Sequence, residues 1–487
     1  MRSLSSAFST FFCFLFLGIS YLLVVPVNAG PEEVNHVQAA WYIGEKPSRI
    51  FEKELRVTSF FPNSIRINDA DGYLQNLDCF SQRMAVPSSC QKREISGMTK
   101  EEVPLIKRSL IYPLIIGIAI NQLPFEDKFL LARIASFLTC YLILGLSVIL
   151  LYKSCFDLNI LFIAITSSCI FLFTVVNPSS LEVSAATLFI AVLISFDREL
   201  RFKSVLFWAA FLLLATNRSL GSLWALIILT LYYVKTGKFP FLKTTIFSSF
   251  VITSSQYLLG NRNYPLSLTD EFQPPWNFYL EEAIRVFNGS GDWLVSIWGV
   301  LSWSELKLPL ILVFLNLICS IFLLLRGTRK YTLQRSYLGI SVACIYFIPF
   351  VLAVTFSKDW PGFWQGRYIL PIFIAVILIG LGNSKYLLRT KLLSFSIFIA
   401  LSSQIYMVLL TYARFNWGLY GTNTPIIANG NSFSTSQNSM FFLFFGLFLL
   451  CGLFQLNSLI TDSRLYRDEE NKERYPGSNK QQDHNIV

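Results

Sequence analysis

The sequence predicts an all-α, polytopic membrane protein with about 12 transmembrane helices, and three observations support this fold class. Only 14% of the 487 residues are charged, whereas soluble proteins carry roughly 25%. Apolar runs recur that approach the roughly 20 residues a helix needs to cross the hydrocarbon layer. The cations that give the net charge of +10 gather in short loops between those runs. That distribution is the positive-inside signal of membrane proteins and not a nucleic-acid-binding face.

The runs interpreted as membrane spans are 7–27, 129–152, 158–176, 181–196, 204–216, 220–234, 244–260, 309–325, 336–356, 368–382, 391–412 and 438–460. The first also ends in small residues, as a signal peptide does, but we expect it to stay uncleaved. None of the nine cysteines has metal-ligand spacing, so no zinc site is predicted. Cys79 and Cys90 share one polar loop and are predicted to form a disulfide.

Segment 109–122 is apolar but too short for a comfortable span, and the charged loops determine its placement. If it lies on the outer surface, the Lys/Arg-containing loops 197–203, 235–243, 326–335 and 385–391 all face the cytoplasm. If it spans, all four face outward, against the positive-inside rule. We therefore predict an interfacial helix on the outer face, with both termini in the cytoplasm.

The first outer segment begins with two adjacent carboxylates, Glu32 and Glu33, followed by His36. A carboxylate held at the membrane surface could act as a general base towards an acceptor hydroxyl, and His36 could orient it or bind the acceptor. The alternative is a solvated first turn in which both acids stabilise the helix dipole.

Arg133, Arg218 and Arg367 lie at the predicted outer ends of spans, where a guanidinium can bind a phosphate in bidentate fashion. Ordinary snorkelling towards lipid head groups is the alternative for each of them. Glu182 is an acid just inside a span, and such acids usually have a function.

The segment 360–371 contains Gln365, Arg367 and Tyr368 among further aromatic residues, and it suits either a sugar phosphate or the aromatic belt of the membrane. No cofactor is required by any spacing. A divalent cation could bind the carboxylates of Glu32, Glu33 and Glu182.

Several of these motifs together resemble the bacterial family called domain of unknown function 2142. The resemblance runs from about residue 20 to 380 and rests, in order, on Pro31-Glu32-Glu33-x-x-His36, Tyr112-Pro113, Leu131-Ala-Arg133, Asn177-Pro-Ser-Ser-Leu-Glu182 and Gln365-Gly-Arg-Tyr-x-x-Pro371. The second Pro and the later Tyr of the family's Tyr-Pro-Pro-x-x-Tyr segment are absent here.

That family is similar to the C-type glycosyltransferases, so the resemblance implies a module over 1–382 with a first outer loop, 28–128, that carries juxtamembrane helices. Residues 383–460 would add C-terminal spans, and 461–487 would be a disordered cytoplasmic tail. The implied activity is hexosyl or pentosyl transfer from a polyprenyl-phosphate donor to a glycan or lipid acceptor, outside the bacterial inner membrane.

The resemblance also implies site roles. The base would be Glu32 or Glu33, and Glu33 is favoured because the family pattern keeps Glu at the second position. The second acid would be Glu182, and the donor would contact Tyr112, Arg133, Arg218, Gln365, Arg367 and Tyr368. Two alternatives stay open: a transporter or flippase of lipid-linked sugars, although the halves show no convincing repeat, and a non-catalytic partner in polysaccharide assembly.

Overall fold

The computed structural model describes residues 4–26, 29–30, 33–47, 56–59, 101–104, 111–121, 125–196, 202–218, 220–260, 276–302, 305–327, 333–356, 366–382, 391–420, 426–427 and 433–474. Cys79 and Cys90 lie outside these residues, so their disulfide stays a prediction.

The described residues are overwhelmingly helical. The α-helices are α1 (Leu4–Val24), α2 (Glu33–Glu45), α3 (Ile111–Ile120), α4 (Phe125–Lys153), α5 (Leu161–Ala164), α6 (Ser167–Thr174), α7 (Pro178–Ser195), α8 (Lys203–Asn217), α9 (Gly221–Thr236), α10 (Leu242–Gly260), α11 (Trp276–Gly299), α12 (Leu310–Gly327), α13 (Leu333–Val342), α14 (Ile348–Phe356), α15 (Leu370–Leu381), α16 (Lys391–Trp417) and α17 (Thr435–Arg474). Short 3₁₀ helices cover Leu158–Ile160 and Gly366–Ile369, and a π-helical turn, Ala343–Phe347, joins α13 to α14.

Short strands form three antiparallel pairs in the described part of the chain. The pairs are β1 (Arg56–Ser59) with β2 (Glu101–Pro104), β3 (Val300–Leu301) with β4 (Leu306–Lys307), and β5 (Leu419–Tyr420) with β6 (Ile426–Ile427). None is longer than four residues, so the fold class predicted from the sequence is confirmed.

Seven helices among the described residues are long and apolar enough to cross a membrane. They are Ala7–Val24, Phe129–Lys153, Pro178–Ser195, Leu310–Gly327, Ser336–Thr355, Lys391–Trp417 and Thr435–Thr461. Shorter apolar helices cover three further predicted spans, and α10, which is rich in Ser and Thr, covers another. The chain is therefore a membrane protein with several apolar helices, and the count of 12 spans stays a prediction.

Residues 158–176 do not form the single span that the sequence suggests. The backbone is extended at Ile165 and Thr166, between α5 and α6. Gln404 donates to the carbonyl oxygen of Ile165 at 3.0 Å, and the Thr166 hydroxyl donates to Ile297 at 2.6 Å. Side chains from α16 and Thr166 itself thus supply hydrogen bonds at the break, which makes it tolerable inside a buried core.

The predicted disorder after residue 461 is also wrong in part, because α17 continues to Arg474. The segment is rich in Glu, Lys and Arg, which have high helix propensity, and has no Pro before Pro476. Residues beyond 474 lie outside the described part.

Two helices occupy the centre of the molecule. All of α15 is buried, as is all of α7 except Ile194. The surrounding helices expose large apolar side chains, among them Leu142 on α4, Phe250 on α10 and Leu310 on α12. Such a continuous apolar exterior is expected of helices that face lipid.

Segment 109–122 contains α3, a helix of ten residues that is too short to cross the bilayer. It packs against α2, and both helices contact α4. The juxtamembrane placement of α2 and α3, and the orientation of α3 to the membrane plane, stay predictions.

Candidate functional site

Glu33 is the first residue of α2, and its side chain is fully buried against Arg133 of α4. Arg133 donates from Nε and Nη2 to the two carboxylate oxygens, each at 2.6 Å. The backbone N–H of Val176 donates to Oε1 of the same carboxylate at 3.0 Å. Both oxygens of Glu33 therefore already accept charge-assisted or backbone hydrogen bonds.

Arg133 also holds the end of α1. Its Nη1 donates to the carbonyl oxygen of Val25 and its Nη2 to that of Pro26. Each nitrogen of the guanidinium thus has a protein acceptor, and only 3% of the residue is exposed. These contacts connect the end of α1, the start of α2, α4 and the segment before α7.

Tyr112 of α3 lies beside this group of contacts. Its hydroxyl donates to Ser136 of α4 at 2.9 Å, and Ser136 lies 3.4 Å from the Ser180 hydroxyl. Burial raises the pKa of the Tyr112 phenol above its ordinary value. His36, three residues after Glu33, is half-buried on α2.

The start of α7 is built by two local signals. Asn177 caps the helix by accepting from the Ser179 N–H, and Pro178 occupies the first turn, where it needs no N–H partner. Asn217, the last residue of α8, donates to the Pro178 carbonyl at 2.8 Å. The α8–α9 turn is thereby fixed against the beginning of α7.

Arg218 follows in that turn and points at α7. Its Nη1 donates to the Ser179 hydroxyl at 2.7 Å and lies 3.6 Å from Oε2 of Glu182. Gly221 permits the tight turn, because a Cβ there would lie 2.1 Å from the carbonyl oxygen of Leu214.

Tyr368 lies under two guanidinium groups. The Arg218 guanidinium carbon is 4.6 Å from the ring centroid, and that of Arg367 is 5.4 Å from it, which are cation–π distances. Gly366 allows this 3₁₀ segment to approach α11, since a Cβ there would lie 2.2 Å from Ser296. The set Glu182, Arg218, Arg367 and Tyr368 is called the Glu182 cluster below.

Buried polar atoms of the Glu182 cluster have no hydrogen-bond partner among the described residues. They are Oε2 of Glu182 and both Nε and Nη1 of Arg367. Buried polar groups are almost always hydrogen-bonded, so such atoms require an explanation. Two cationic side chains over an aromatic ring, with a carboxylate beside one of them, can bind an anion and exchange a proton.

The structure thus brings together four predicted site residues in the Glu182 cluster and two more, Glu33 and Arg133, in the buried pair. One short segment contacts both groups: the Val176 N–H donates to Glu33, and Ser179 and Glu182 lie against Arg218. Glu32 and Gln365 lie outside the described residues. Among those that are described, no three His, Cys, Asp or Glu side chains gather as metal ligands would, and the divalent cation stays untested.

One buried ion pair in the described part of the chain joins two residues that the sequence did not point to. Arg414, near the end of α16, donates to Oε2 of Glu305 from Nε at 3.3 Å and from Nη2 at 3.0 Å. The side chains are 0% and 5% exposed. Arg414 is the only charged residue of α16 after Lys391, and a cation within an apolar helix was the signal that could have identified it.

The chain matches the family described as "Predicted membrane protein (DUF2142)" over residues 14–378, which is more than half of its 487 residues. No curated protein and no solved structure matches the chain.

Proposed function

Since the chain belongs to the family of predicted membrane proteins described as DUF2142, we propose that it is a membrane glycosyltransferase. It moves a sugar from a polyprenyl-phosphate donor to a glycan or lipid acceptor outside the bacterial inner membrane. The observation that carries this proposal is the Glu182 cluster, in which two guanidinium groups lie over one tyrosine ring and one of them lies 3.6 Å from a buried carboxylate.

Arg218 and Arg367 bind the phosphate of the donor. A phosphodiester carries one negative charge, and two cations with one carboxylate leave a net charge of +1 for it. In the transfer, the acceptor oxygen forms a bond to the anomeric carbon while the bond from that carbon to the phosphate oxygen breaks. The leaving phosphate takes the electron pair and gains a second negative charge. Fixed donors that face this developing charge lower the barrier.

The burial of the cluster supports transfer to an acceptor rather than to water. Tyr368 is 5% exposed and Glu182 is 1% exposed, so bulk water is largely excluded from the reacting groups. The side chain of Arg218 is 16% exposed, which leaves an approach for the phosphate at the edge of the cluster.

The experiment compares lipid-linked sugars and envelope glycans, by mass spectrometry, from a host strain with and without the gene. The deletion strain should accumulate a polyprenyl-phosphate sugar, and its glycan should lack one sugar residue. Wild-type protein should restore the glycan, whereas Arg367→Gln should not. Arg285→Gln is the matched control, because Arg285 lies on an exposed part of α11 and, among the described residues, forms its ion pair with Glu282 of the same helix.

An unchanged glycan in the deletion strain would contradict the proposal. A missing sugar with the accumulated donor retained on the inner leaflet would favour a flippase instead, because loss of an outer-face transferase leaves the donor on the outer leaflet.

A further inference from the structure

We infer that Glu182, and not Glu33, is the carboxylate that takes the proton from the acceptor, and that Glu33 is a positioning residue. This inference rests on the proposed transferase function and assigns the proton-transfer role within it. It changes the expectation from the sequence, in which Glu33 is the base and Glu182 the second acid.

The described residues contain three buried Glu–Arg pairs that connect separate elements, and they differ in how fully the carboxylate is occupied. The pairs are Glu33–Arg133, Glu182–Arg218 and Glu305–Arg414, with shortest nitrogen-to-oxygen distances of 2.6 Å, 3.6 Å and 3.0 Å. A general base must reach the proton it removes. A carboxylate whose oxygens already accept hydrogen bonds from other protein groups is therefore a poor candidate for the base.

Glu33 is the most fully occupied of the three. Its Oε1 accepts from Arg133 and from the Val176 N–H, and its Oε2 accepts from Arg133. The residue is 0% exposed. A hydroxyl could approach Glu33 only if these hydrogen bonds broke and left Arg133 as an uncompensated buried charge, which is strongly unfavourable.

Glu305 resembles Glu33, because Arg414 donates to it from two nitrogens at hydrogen-bonding distance. Glu182 differs from both. Its nearest cation is beyond hydrogen-bonding distance, and its Oε2 has no hydrogen-bond partner among the described residues. Arg218, Arg367 and the Trp224 indole all lie beside this carboxylate, but no described donor is at hydrogen-bonding distance of its Oε2.

The Glu182 carboxylate also lies where the leaving group would be. Arg218 contacts Ser179 and approaches Glu182 with the same nitrogen, and its guanidinium stacks on Tyr368 next to Arg367. A phosphate bound by these two arginines would therefore place its sugar close to Glu182. Glu33 contacts neither Arg218 nor Arg367. Among the described residues, its carboxylate accepts hydrogen bonds from Arg133 and from the Val176 N–H.

The acceptor hydroxyl gives its proton to Oε2 of Glu182 as its oxygen bonds to the anomeric carbon. The carbon–oxygen bond to the phosphate breaks, and the electron pair stays on the phosphate. One carboxylate and one phosphodiester monoanion become one carboxylic acid and one phosphate dianion, so the total charge is unchanged.

Glu33 acts on this site through the backbone. Its hydrogen bond from Val176 fixes the residue just before the cap of α7, and Ser179 and Glu182 follow within the first turns of that helix. Loss of Glu33 would therefore displace the start of α7 and unfold part of the outer end of the molecule, without removing the group that accepts the proton.

The test uses full-length variants in the deletion strain, with the restored glycan measured per folded, membrane-embedded molecule. Glu182→Gln should lose roughly 10²- to 10⁴-fold, the usual contribution of a general base, and should still bind undecaprenyl phosphate in lipid nanodiscs. Glu33→Gln should reduce the amount of folded protein, with less than about a tenfold loss per folded molecule, well under that range.

A double variant, Glu33→Gln with Arg133→Gln, separates the two roles. It removes both buried charges and keeps amides that can hydrogen-bond at both positions, so folding and glycan should recover relative to either single variant. Glu305→Gln is the control for a buried pair without a reactive role, and it too should lower folded protein rather than the glycan made per molecule.

Glu182→Gln with full activity per folded molecule would overturn the inference. So would a loss of more than about a hundredfold in folded Glu33→Gln or in the folded double variant, because that size of loss is expected for the base itself. If wild-type protein itself restores no glycan, the proposed transferase function fails, and this outcome is distinct from the variant results.

Discussion

Gly44 of α2 and Gly117 of α3 bring the backbones of the two helices into direct contact. A Cβ on Gly44 would lie 2.3 Å from the carbonyl oxygen of Gly117, and a Cβ on Gly117 would lie 2.1 Å from the carbonyl oxygen of Ala40. No side-chain rotation relieves an overlap with backbone. The helix pair of the first loop therefore depends on small residues at one crossing point.

Gly117→Ala should separate α2 from α3 and destabilise the protein by about 1–3 kcal/mol, the usual cost of overpacking. Thermal unfolding of purified protein in detergent, followed by fluorescence, measures the change. Gly289→Ala on α11 is the control: nothing lies within 4 Å of a Cβ there, so it should leave the stability equal or slightly raised. Equal melting of both variants would contradict the close contact.

Arg414→Met should destabilise the protein by roughly 3–5 kcal/mol, because it leaves Glu305 as a buried, unpaired charge. Arg285→Met breaks an ion pair in which the arginine side chain is 49% exposed, and its effect should be about 0–1 kcal/mol. Chemical unfolding of the two variants in the same detergent compares them. A small effect at Arg414 would mean that water reaches this pair.

Tyr368→Leu should weaken the binding of undecaprenyl phosphate because it removes the ring that orients Arg218 and Arg367. A desolvated cation–π contact contributes about 2 kcal/mol, so the loss in affinity should be at least roughly tenfold. Tyr368→Phe keeps the ring and should lose much less. Binding to protein in nanodiscs, titrated by native mass spectrometry, gives both affinities, and equal losses would argue against a role for the ring.

Topology gives an independent prediction. Reporter fusions after residues 100, 240 and 330 should report outside, inside and inside, because the intervening Lys/Arg loops favour the cytoplasm. An outside signal at 240 would reverse the orientation and move the Glu182 cluster to the other membrane face.

The composition of the sequence predicts the helical membrane fold because apolar length and charge placement are local properties. Glu182, Arg218 and Arg367 could be identified for a related reason, since polar residues at the ends of apolar runs stand out. The partners in the buried ion pairs could not be predicted in this way. Arg133 was expected to bind phosphate, yet it pairs with Glu33, 100 positions away, and no local pattern encodes which cation meets which carboxylate.

The break between α5 and α6 could not be predicted from the sequence for a similar reason. Thr166, Ser167 and Ser168 stand at the break, and Thr is a favoured N-cap residue, but such short polar residues also occur inside continuous membrane helices. The extended residues at the break are tolerated because Gln404 reaches the freed carbonyl of Ile165 from a helix 239 positions away. Only the tertiary packing supplies that partner.

The π-helical turn Ala343–Phe347 determines how this region tolerates a change in length. Buried positions along the rod formed by α13, the turn and α14 are Tyr337, Ser341, Cys344, Pro349 and Ala353. Neighbouring buried positions are three or four residues apart, except between Cys344 and Pro349, across the turn, where they are five apart. The wide turn thus absorbs one surplus residue and keeps the same face inward on both sides. A single-residue deletion inside the turn can convert it to regular α-helix, whereas a deletion in α14 would rotate every later residue by about 100°.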